Sequence, residues 1–576
     1  MSETLADLLD DPGWAAGTGA PLLDRGAILF DRGVPVAADH LRAEVARIAG
    51  GLAALGVGPG DRVAIWLPNV PAWLATLFAA ARLGAVVVSV NTRYKSHELA
   101  GILRRSQPRV LVYWPGFGSI DFRGILAACD PAALSSLSAV VEYDEDEGGA
   151  AAGGAAVCGD ARDDVARHRY TALRAFASTA STASSASSAS SASSASSASS
   201  ASSASAARAD NAVAVASPGT PCILFSTSGT TKEPKLVLHD QQTLVRHARN
   251  VAAAWRLGPG SAVYLVPPLC GVYGLCTALA ARAGGVPLWM RPAWDAGAAA
   301  ADIVRGACTH ITGTDDVYAQ LLAASAAPKP YPSVVYAGFA PFNPALADIV
   351  ATAEQRGLRL SGLYGASEVL ALFSVRASDA PAAERGLAGG YPVDPAARVH
   401  ARDPESGQTL PEGTVGELEL LAPQSRMVGY FGDADATAVA FTDDGWYRTG
   451  DLGHTTAGGG FVYLSRAGDS LRLGGFLVSP AEIEAVVQEA GGIEACQVVA
   501  VPRPDGMRAV AFVIPASDVP VDEGKLAAHV RARLAAYKVP VRFFAVDAFP
   551  VTVSANATKI RRDTLRQMAL ERLGAV

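Results

Sequence analysis

The sequence predicts an α/β protein: a large multi-layer N-terminal domain, then a small α+β C-terminal one. Three observations carry that expectation. From residue 40 to 113, and again from 221 to about 465, apolar helical segments alternate with short β-rich runs, the pattern of layered α/β architecture. Half of the 576 residues are hydrophobic and 18% are charged, which is ample material for a sizeable core. The C-terminal stretch repeats a helix-and-strand pattern of its own, enough for a separate small domain. The expected division is 1–467 and 468–576.

The first elements read clearly. ADHLRAEVARIAGGLAALGV (38–57) is amphipathic with a period near 3.6, and GPGD turns it into the strand RVAIWL (62–67). A second helix, 71–82, leads to AVVVSV, and a third, 97–105, leads to RVLVYW. Residues 146–220 then break the alternation as an insertion. GGAAAGGAA is followed by a tract, 177–207, in which Ala recurs at every third position from Ala177 to Ala204 with Ser or Thr between. Such a tract offers no large apolar side chain to bury, so it is expected to be a disordered surface excursion. Beyond 468 the run PAEIEAVVQEA, CQVVAV, AVAFVIP, KLAAHVRARLAAY, VRFFAV supplies the C-terminal helices and strands.

Composition narrows the function. A net charge of −7 and a pI near 5.8 argue against a general electrostatic grip on nucleic acid or anionic membrane. Cysteines stand at 129, 158, 222, 270, 276, 308 and 496, without a CxxC pair, which fits a reduced cytoplasmic chain better than a disulfide scaffold or structural zinc site. MSETLADLLDDPGW at the N-terminus is acidic and lacks the apolar run of a signal peptide. The most membrane-like stretch, 71–90, is interrupted by Arg82 and Gly84 and reads as a buried helix and strand, so no transmembrane segment is expected.

Chemistry gathers first at LFSTSGTTKEPKLVLH (224–239), where a polar loop joins two apolar runs. Ser226, Thr227, Ser228, Thr230 and Thr231, with Gly229 and Pro234 shaping the backbone and Lys235 at the end, are groups suited to phosphate oxygens. A Walker loop needs GxxxxGK[ST], and Lys235 is flanked instead by Pro234 and Leu236, so that reading fails. Taken alone the stretch is also ordinary turn chemistry. Four further stretches follow: LYGASEV (363–369), GWYRTGDLG (445–453), RAGDSLRLGGFLVSPAEIE (466–484) and SANATKIRR (554–562).

In this order, the five stretches resemble the adenylate-forming (AMP-binding) superfamily of acyl-CoA synthetases, or AMP-dependent synthetases and ligases, alongside peptide-synthetase adenylation domains and firefly luciferase. The resemblance runs from LGVGPGDRVAIWLPN to TKIRRDTLR and omits only the Ala/Ser tract and its flanks. It implies an acid–thiol ligase: a carboxylate attacks the α-phosphorus of ATP, pyrophosphate leaves, and the acyl group of the adenylate passes to the thiol of coenzyme A. An anion must approach a polyanion, which at ~4 Å and an effective dielectric of ~20 costs roughly 4 kcal/mol per pair of unit charges. Cations must offset that cost.

The resemblance implies where they are. Lys559 would bridge carboxylate and α-phosphate. Glu368 would hold Mg2+, a fit for one carboxylate with phosphates and waters. Thr227, Ser228, Gly229, Thr230, Thr231 and Lys235 would close over the β- and γ-phosphates, with the loop free to release pyrophosphate. Asp451 and Arg466 would contact the ribose, Tyr364 would stack on adenine beside Gly365, Gly338 would allow close approach to the ring, and Ser367 would meet the α-phosphate. Rotation of the C-terminal domain about Gly468 would withdraw Lys559 and bring in Arg472, with Gly474 and Gly475, for the thiol step.

The chain departs from the family pattern in places. Lys232 and Leu236 replace two loop glycines, and Gly468 stands where an acid or lysine is more usual. The acyl pocket would fall along 268–279, 334–340 and 364–373, with Tyr273, Cys276, Thr277, Tyr336 and Phe339 as wall residues, each equally explicable as core. Cys270 and Gly271 replace an aromatic and a histidine there, and no Asp is placed to hold an amino group, which disfavours a free amino acid. Asp315 and Asp316 read as a solvated loop. The expected partner is a small carboxylic acid; a carrier-protein pantetheine is the alternative acceptor, and a weakly active adenylate-binding interaction protein the alternative of another class.

Overall fold

The computed structural model describes residues 3–11, 27–143, 166–170, 216–227, 235–341, 346, 348–466, 471–473, 476–478, 480–503, 506–516, 520–534, 536–553 and 558–574. The chain forms two compact units, each drawn from more than one segment: Met1–Asp295 with Ser367–Leu370 and Gln424–Thr437, and Ala296–Ala366 with Ala371–Pro423 and Ala438–Val576.

The first unit is built on a mixed sheet. Its strands run in the order Gly429–Tyr430, Leu236–Asp240, Pro221–Ser226, Val86–Ser89, Arg62–Trp66, Val110–Tyr113, Ala139–Glu142 and Ala166–Arg169. From Pro221–Ser226 onward the pairs are parallel, and all but the edge strand Ala166–Arg169 are rich in apolar residues, as expected of parallel strands buried on both faces. The helix Pro71–Arg82 shows the same logic, since almost every side chain on it is buried. Pro71 stands in its first turn, where a missing N–H forfeits no intrahelical bond. Asp240 caps the helix Gln241–Ala254, its Oδ1 accepting from the Thr243 amide at 2.8 Å. Trp66, Tyr113 and Phe122 centre the core on one face, with Leu224 and Leu236 packed into the same cluster.

The second unit carries a longer sheet segment. Its strands run Arg398–Arg402, Gly416–Leu421, Tyr447–Thr456, Gly460–Arg466, Gly389–Pro392, Ser374–Val375, Leu360–Tyr364, Tyr336–Ala340 and His310–Thr314. The last three pair in parallel and the rest antiparallel. Within this unit, residues from Leu471 on have their own core clusters, around the three-stranded sheet Ile493–Arg503, Gly506–Pro515 and Arg542–Ala545. Helices Pro480–Gln488, Glu523–Arg531 and Arg562–Gly574 accompany that sheet.

Two expectations change. Asp315 and Asp316 do not form a solvated loop: they open the helix Asp315–Ala323, Asp315 is 1% exposed, and its carboxylate accepts from the Asp316 amide. Acidic side chains in a first turn complement the positive end of the helix dipole, which sequence alternation alone did not reveal. The interruption at 146–220 is also narrower than expected. Ala166–Arg169 returns as an edge strand parallel to Ala139–Glu142, and Tyr170 behind it is buried with its hydroxyl 3.2 Å from the Ala72 carbonyl oxygen. A polar four-residue edge strand leaves almost no periodic signal. The Ala/Ser tract itself, 177–207, lies outside the described residues.

The segment 71–90 is a twelve-residue helix followed by the strand Val86–Ser89, and no described helix is long and apolar enough to cross a membrane. The described cysteines are free thiols.

Candidate functional site

In the first unit the polar loop has firmly tied ends. Pro221–Ser226 and Leu236–Asp240 pair antiparallel, with Ser226 opposite Leu236 as the last pair. Just beyond it, the Thr227 amide donates to the Lys235 carbonyl at 2.9 Å and the Lys235 amide donates to Thr227 Oγ1 at 3.2 Å. The hydroxyls of Ser226 and Tyr94 meet at 2.8 Å. Ser228, Gly229, Thr230 and Thr231 lie outside the described residues. Leu236 is 3% exposed and fills the core as an ordinary strand residue, so its replacement of a glycine adds apolar packing at the loop's root.

Lys235, Tyr430 and Glu368 form a chain of contacts in this unit. The Lys235 ammonium lies 4.5 Å from the centroid of the Tyr430 ring. The same phenol donates to Glu368 Oε1 at 2.8 Å. Tyr430 is held by strand pairing opposite Val237 and by its amide, which donates to Thr437 Oγ1 at 2.9 Å. Glu368 sits in the single 3-10 turn Ser367–Val369, is 9% exposed, and its carbonyl accepts from the Met427 amide at 2.8 Å.

His239 braces that turn from the strand Leu236–Asp240. Its Nε2 lies 2.7 Å from the Ser367 carbonyl oxygen, and a carbonyl can only accept, so Nε2 carries the proton. The ring is wholly buried and burial pulls its pKa down to about 4, so it is neutral; Nδ1 is buried with no hydrogen-bond partner among the described residues.

This donor set suits Mg2+. Glu368 offers one buried carboxylate whose Oε1 is already engaged, with no described residue paired to Oε2, and no cluster of three or more metal-ligating side chains exists among the described residues. A hard cation that keeps waters and shares phosphate oxygens fits such a site; a structural zinc does not.

In the second unit the centre is Asp451. Tyr364 donates its hydroxyl to Oδ2 at 2.5 Å, Arg466 donates to Oδ1 at 2.6 Å, and the Asp451 amide donates to Thr449 Oγ1 at 2.9 Å. The strand register sets Asp451 directly opposite Arg466, so the pair follows from the sheet. Burial raises the Tyr364 pKa and the Asp451 charge raises it further, so the phenol stays a donor. Burial opposes the Arg466 charge, but the Asp451 carboxylate outweighs it and holds the guanidinium above its ordinary value. The Tyr364 ring is packed edge-on to Phe461 at 5.2 Å and tilted to Tyr463 at 5.6 Å. A carboxylate accepts about four hydrogen bonds, so Asp451 retains capacity for hydroxyls of a ligand.

Glycines near it are set by close approach. A Cβ on Gly365 would lie 2.6 Å from the Ala371 Cα, and one on Gly338 would meet the Tyr336 ring at 2.8 Å. Tyr318 pins Gly338 by donating to its carbonyl at 2.9 Å. Tyr336 and Phe339 lie on opposite faces of the strand Tyr336–Ala340, so the strand does not bring them together.

The helix Val272–Ala283, in the first unit, carries Tyr273, Cys276 and Thr277 at a spacing that shares one face. Tyr273 is half-buried, Cys276 and Thr277 are buried, and the Thr277 hydroxyl donates to the Tyr273 carbonyl of its own helix. Gly271 is the N-cap and supplies no side-chain acceptor. Cys270 is half-buried, and burial pushes its thiol up to about 11.

Lys559 stands on the ribbon Val551–Val553 and Thr558–Ile560, opposite Thr552; Arg472 stands on Leu471–Leu473, opposite Leu477. Both side chains, and Gly468, lie outside the described residues. The motifs missed Tyr430, His239, Tyr94 and Thr449. His239 closes the quoted loop stretch, and its signal was a lone polar residue at the end of a buried strand; Tyr430 had none, since its role exists only through strand pairing.

Residues 20–431 match the model of the AMP-binding enzyme family, and 482–556 match that of the AMP-binding enzyme C-terminal domain. A sulfoacetate–CoA ligase of Cupriavidus necator is 28% identical over 88% of this chain and 88% of its own. A feruloyl-CoA synthase of an Amycolatopsis species is 29% identical over 90% of this chain and 92% of its own. The fold matches that of ATP-bound MatB from Rhodopseudomonas palustris with a TM-score of 0.74, at 22% identity over 98% of each chain.

Proposed function

Because the chain belongs to the AMP-binding enzyme family, we propose that it is an AMP-forming acid–thiol ligase that activates a small carboxylic acid with ATP and transfers the acyl group to coenzyme A. The observation that carries this reading is the match to both family models, in chain order, over most of the sequence. In the first half-reaction a carboxylate oxygen bonds to the α-phosphorus, the bond to the bridging β-phosphate oxygen breaks, and pyrophosphate leaves. In the second, the thiol sulfur bonds to the acyl carbon, AMP leaves, and the thiol proton passes to solvent.

The family likeness suggests each residue's share, and the chemistry of each side chain is consistent with it. Asp451, already steadied by Tyr364 and Arg466, accepts the ribose hydroxyls. Lys235 and Thr227, with Ser228, Gly229, Thr230 and Thr231, hold the β- and γ-phosphates and release pyrophosphate. Ser367 donates to the α-phosphate. Glu368 would hold Mg2+, which would supply charge neutralisation on the triphosphate. Lys559 adds the cation where carboxylate and α-phosphate crowd together, and a turn about Gly468 brings Arg472 in its place for the thiol step. The boundary at 467/468 and a cytoplasmic location belong to the same reading.

Carboxylate-dependent exchange of labelled pyrophosphate into ATP, run over a broad panel of acids, tests the first half; coenzyme A against hydroxylamine as acceptor tests the second. Exchange with at least one acid and thioester with coenzyme A are the expected results. Silence across the panel overturns the enzyme in favour of an adenylate-binding protein, and adenylate without coenzyme A thioester shifts the acceptor to a carrier-protein pantetheine.

A further inference from the structure

A half-buried ammonium and a buried carboxylate that share a neighbour normally pair, and a pair so formed answers the charge of both. In the first unit a tyrosine stands between them. The Lys235 ammonium rests over the Tyr430 ring, 4.5 Å from its centroid, while the Tyr430 hydroxyl donates to Glu368 Oε1 at 2.8 Å. The ring gives the cation a π face, an attraction that a phosphate readily outcompetes. The hydroxyl gives the carboxylate one donor and leaves its other oxygen for a further partner.

We propose that Tyr430 is a positioning residue that holds Lys235 and Glu368 apart and oriented, so that one remains available to phosphate and the other to Mg2+. The proposal rests on the reading of Glu368 as the metal carboxylate. Tyr430 is built for rigidity. Its backbone pairs with Val237, just after Lys235 on the neighbouring strand; the Phe431 amide donates to the Leu236 carbonyl at 2.8 Å, and the Thr437 hydroxyl accepts the Tyr430 amide proton. Gly429 beside it leaves room for Thr437, since a Cβ there would lie 2.9 Å from the threonine methyl. Glu368 is tied to the same segment through the Met427 amide. The short strand Gly429–Tyr430 therefore sets the distance between the phosphate cation and the metal carboxylate. Without the hydroxyl, Glu368 is free to turn toward the lysine, and the ion pair then competes with both ligands.

Two substitutions separate the ring from the hydroxyl. Tyr430→Phe keeps the ring under Lys235 and removes the donor to Glu368; Tyr430→Leu removes both. Mn2+ binding to the protein loaded with a non-hydrolysable ATP analogue is read from the free-ion signal in electron paramagnetic resonance. Affinity for the same analogue in EDTA is read by calorimetry, with Glu368→Gln measured beside them and melting temperature as the folding control. Tyr430→Phe is expected to weaken Mn2+ binding about tenfold, as loss of a partner behind a metal ligand does. Its metal-free analogue affinity is expected to change less than about twofold, because the cation–π contact remains. Tyr430→Leu is expected to lose both affinities. If Tyr430→Phe binds Mn2+ as the unaltered protein does while Glu368→Gln does not, Tyr430 has no positioning role. If Glu368→Gln also binds Mn2+ normally, the metal assignment falls and takes the proposal with it. Should the leucine variant not fold, the phenylalanine variant decides alone.

Discussion

Tyr364 and Asp451, 87 positions apart in sequence, are joined by a buried hydrogen bond of 2.5 Å. The bond ties the strand Leu360–Tyr364 to the strand Tyr447–Thr456, on which Asp451 faces Arg466. The aromatic expected to stack on the base is thus also the donor that orients the carboxylate expected to hold the sugar. Removing that donor, in Tyr364→Phe, strips a buried carboxylate of one partner. Hydrogen bonds to charged groups contribute about 1.5–3 kcal/mol, so unfolding in urea should show a loss of that order. Nucleotide affinity should fall with it, about tenfold, because Asp451 keeps only Arg466 of the two side-chain donors that orient it. Urea melts and titration with an ATP analogue check both.

Asp451 itself permits a sharper test. If its remaining lone pairs accept the ribose hydroxyls, Asp451→Ala should weaken ATP binding on the order of tenfold to a hundredfold. The same variant should bind 2′,3′-dideoxy-ATP as the unaltered protein does, since that nucleotide has nothing to donate. Competition binding with the two nucleotides checks it. Equal losses for both would make Asp451 a structural partner of Arg466 alone.

The fold was largely legible in the sequence because layered α/β architecture writes its periods plainly. The strands Arg62–Trp66 and Val110–Tyr113 fall inside the apolar runs expected of them, and the helix Pro71–Arg82 begins at its proline. What escaped was short or polar: the edge strand Ala166–Arg169, and the helix that Asp315 opens. The site divided the same way. Motif residues such as Asp451 carry their signal locally, whereas Tyr430 and His239 act through partners 62 and 128 positions away, which one-dimensional spacing does not encode.

His239 gives the chain a pH dependence of known sign. Its folded pKa is depressed by burial to about 4 from an ordinary 6.5. Unfolding therefore takes up a proton between those values, and stability rises with pH across that window. The contribution is fully present above about pH 6.5 and is lost as pH falls toward 4, on the order of 3 kcal/mol in all. His239→Asn keeps a donor for the Ser367 carbonyl but does not titrate. Denaturant midpoints at pH 4.5 and 7 should differ less in the variant than in the unaltered protein, and an unchanged difference would place the acid sensitivity elsewhere.

Lys559 divides the two half-reactions. Its charge matters only where the incoming carboxylate meets the α-phosphate, so Lys559→Ala should slow adenylate formation about 10²- to 10³-fold, the usual scale for losing one group aimed at developing charge. Nucleotide affinity should change little, because most of the triphosphate contacts and all of the ribose contacts are assigned to other residues. Thioester formation from a supplied acyl-adenylate should also persist, because by then the two anions have already been joined. Single-turnover assays of each half, with and without the alanine, measure these separately. Lys559 stands on the ribbon Val551–Val553 and Thr558–Ile560, whose Ile560 packs against the C-terminal core, so the melting temperature is measured beside the rates as the folding control. An adenylation rate equal to that of the unaltered protein would mean that another cation offsets the repulsion.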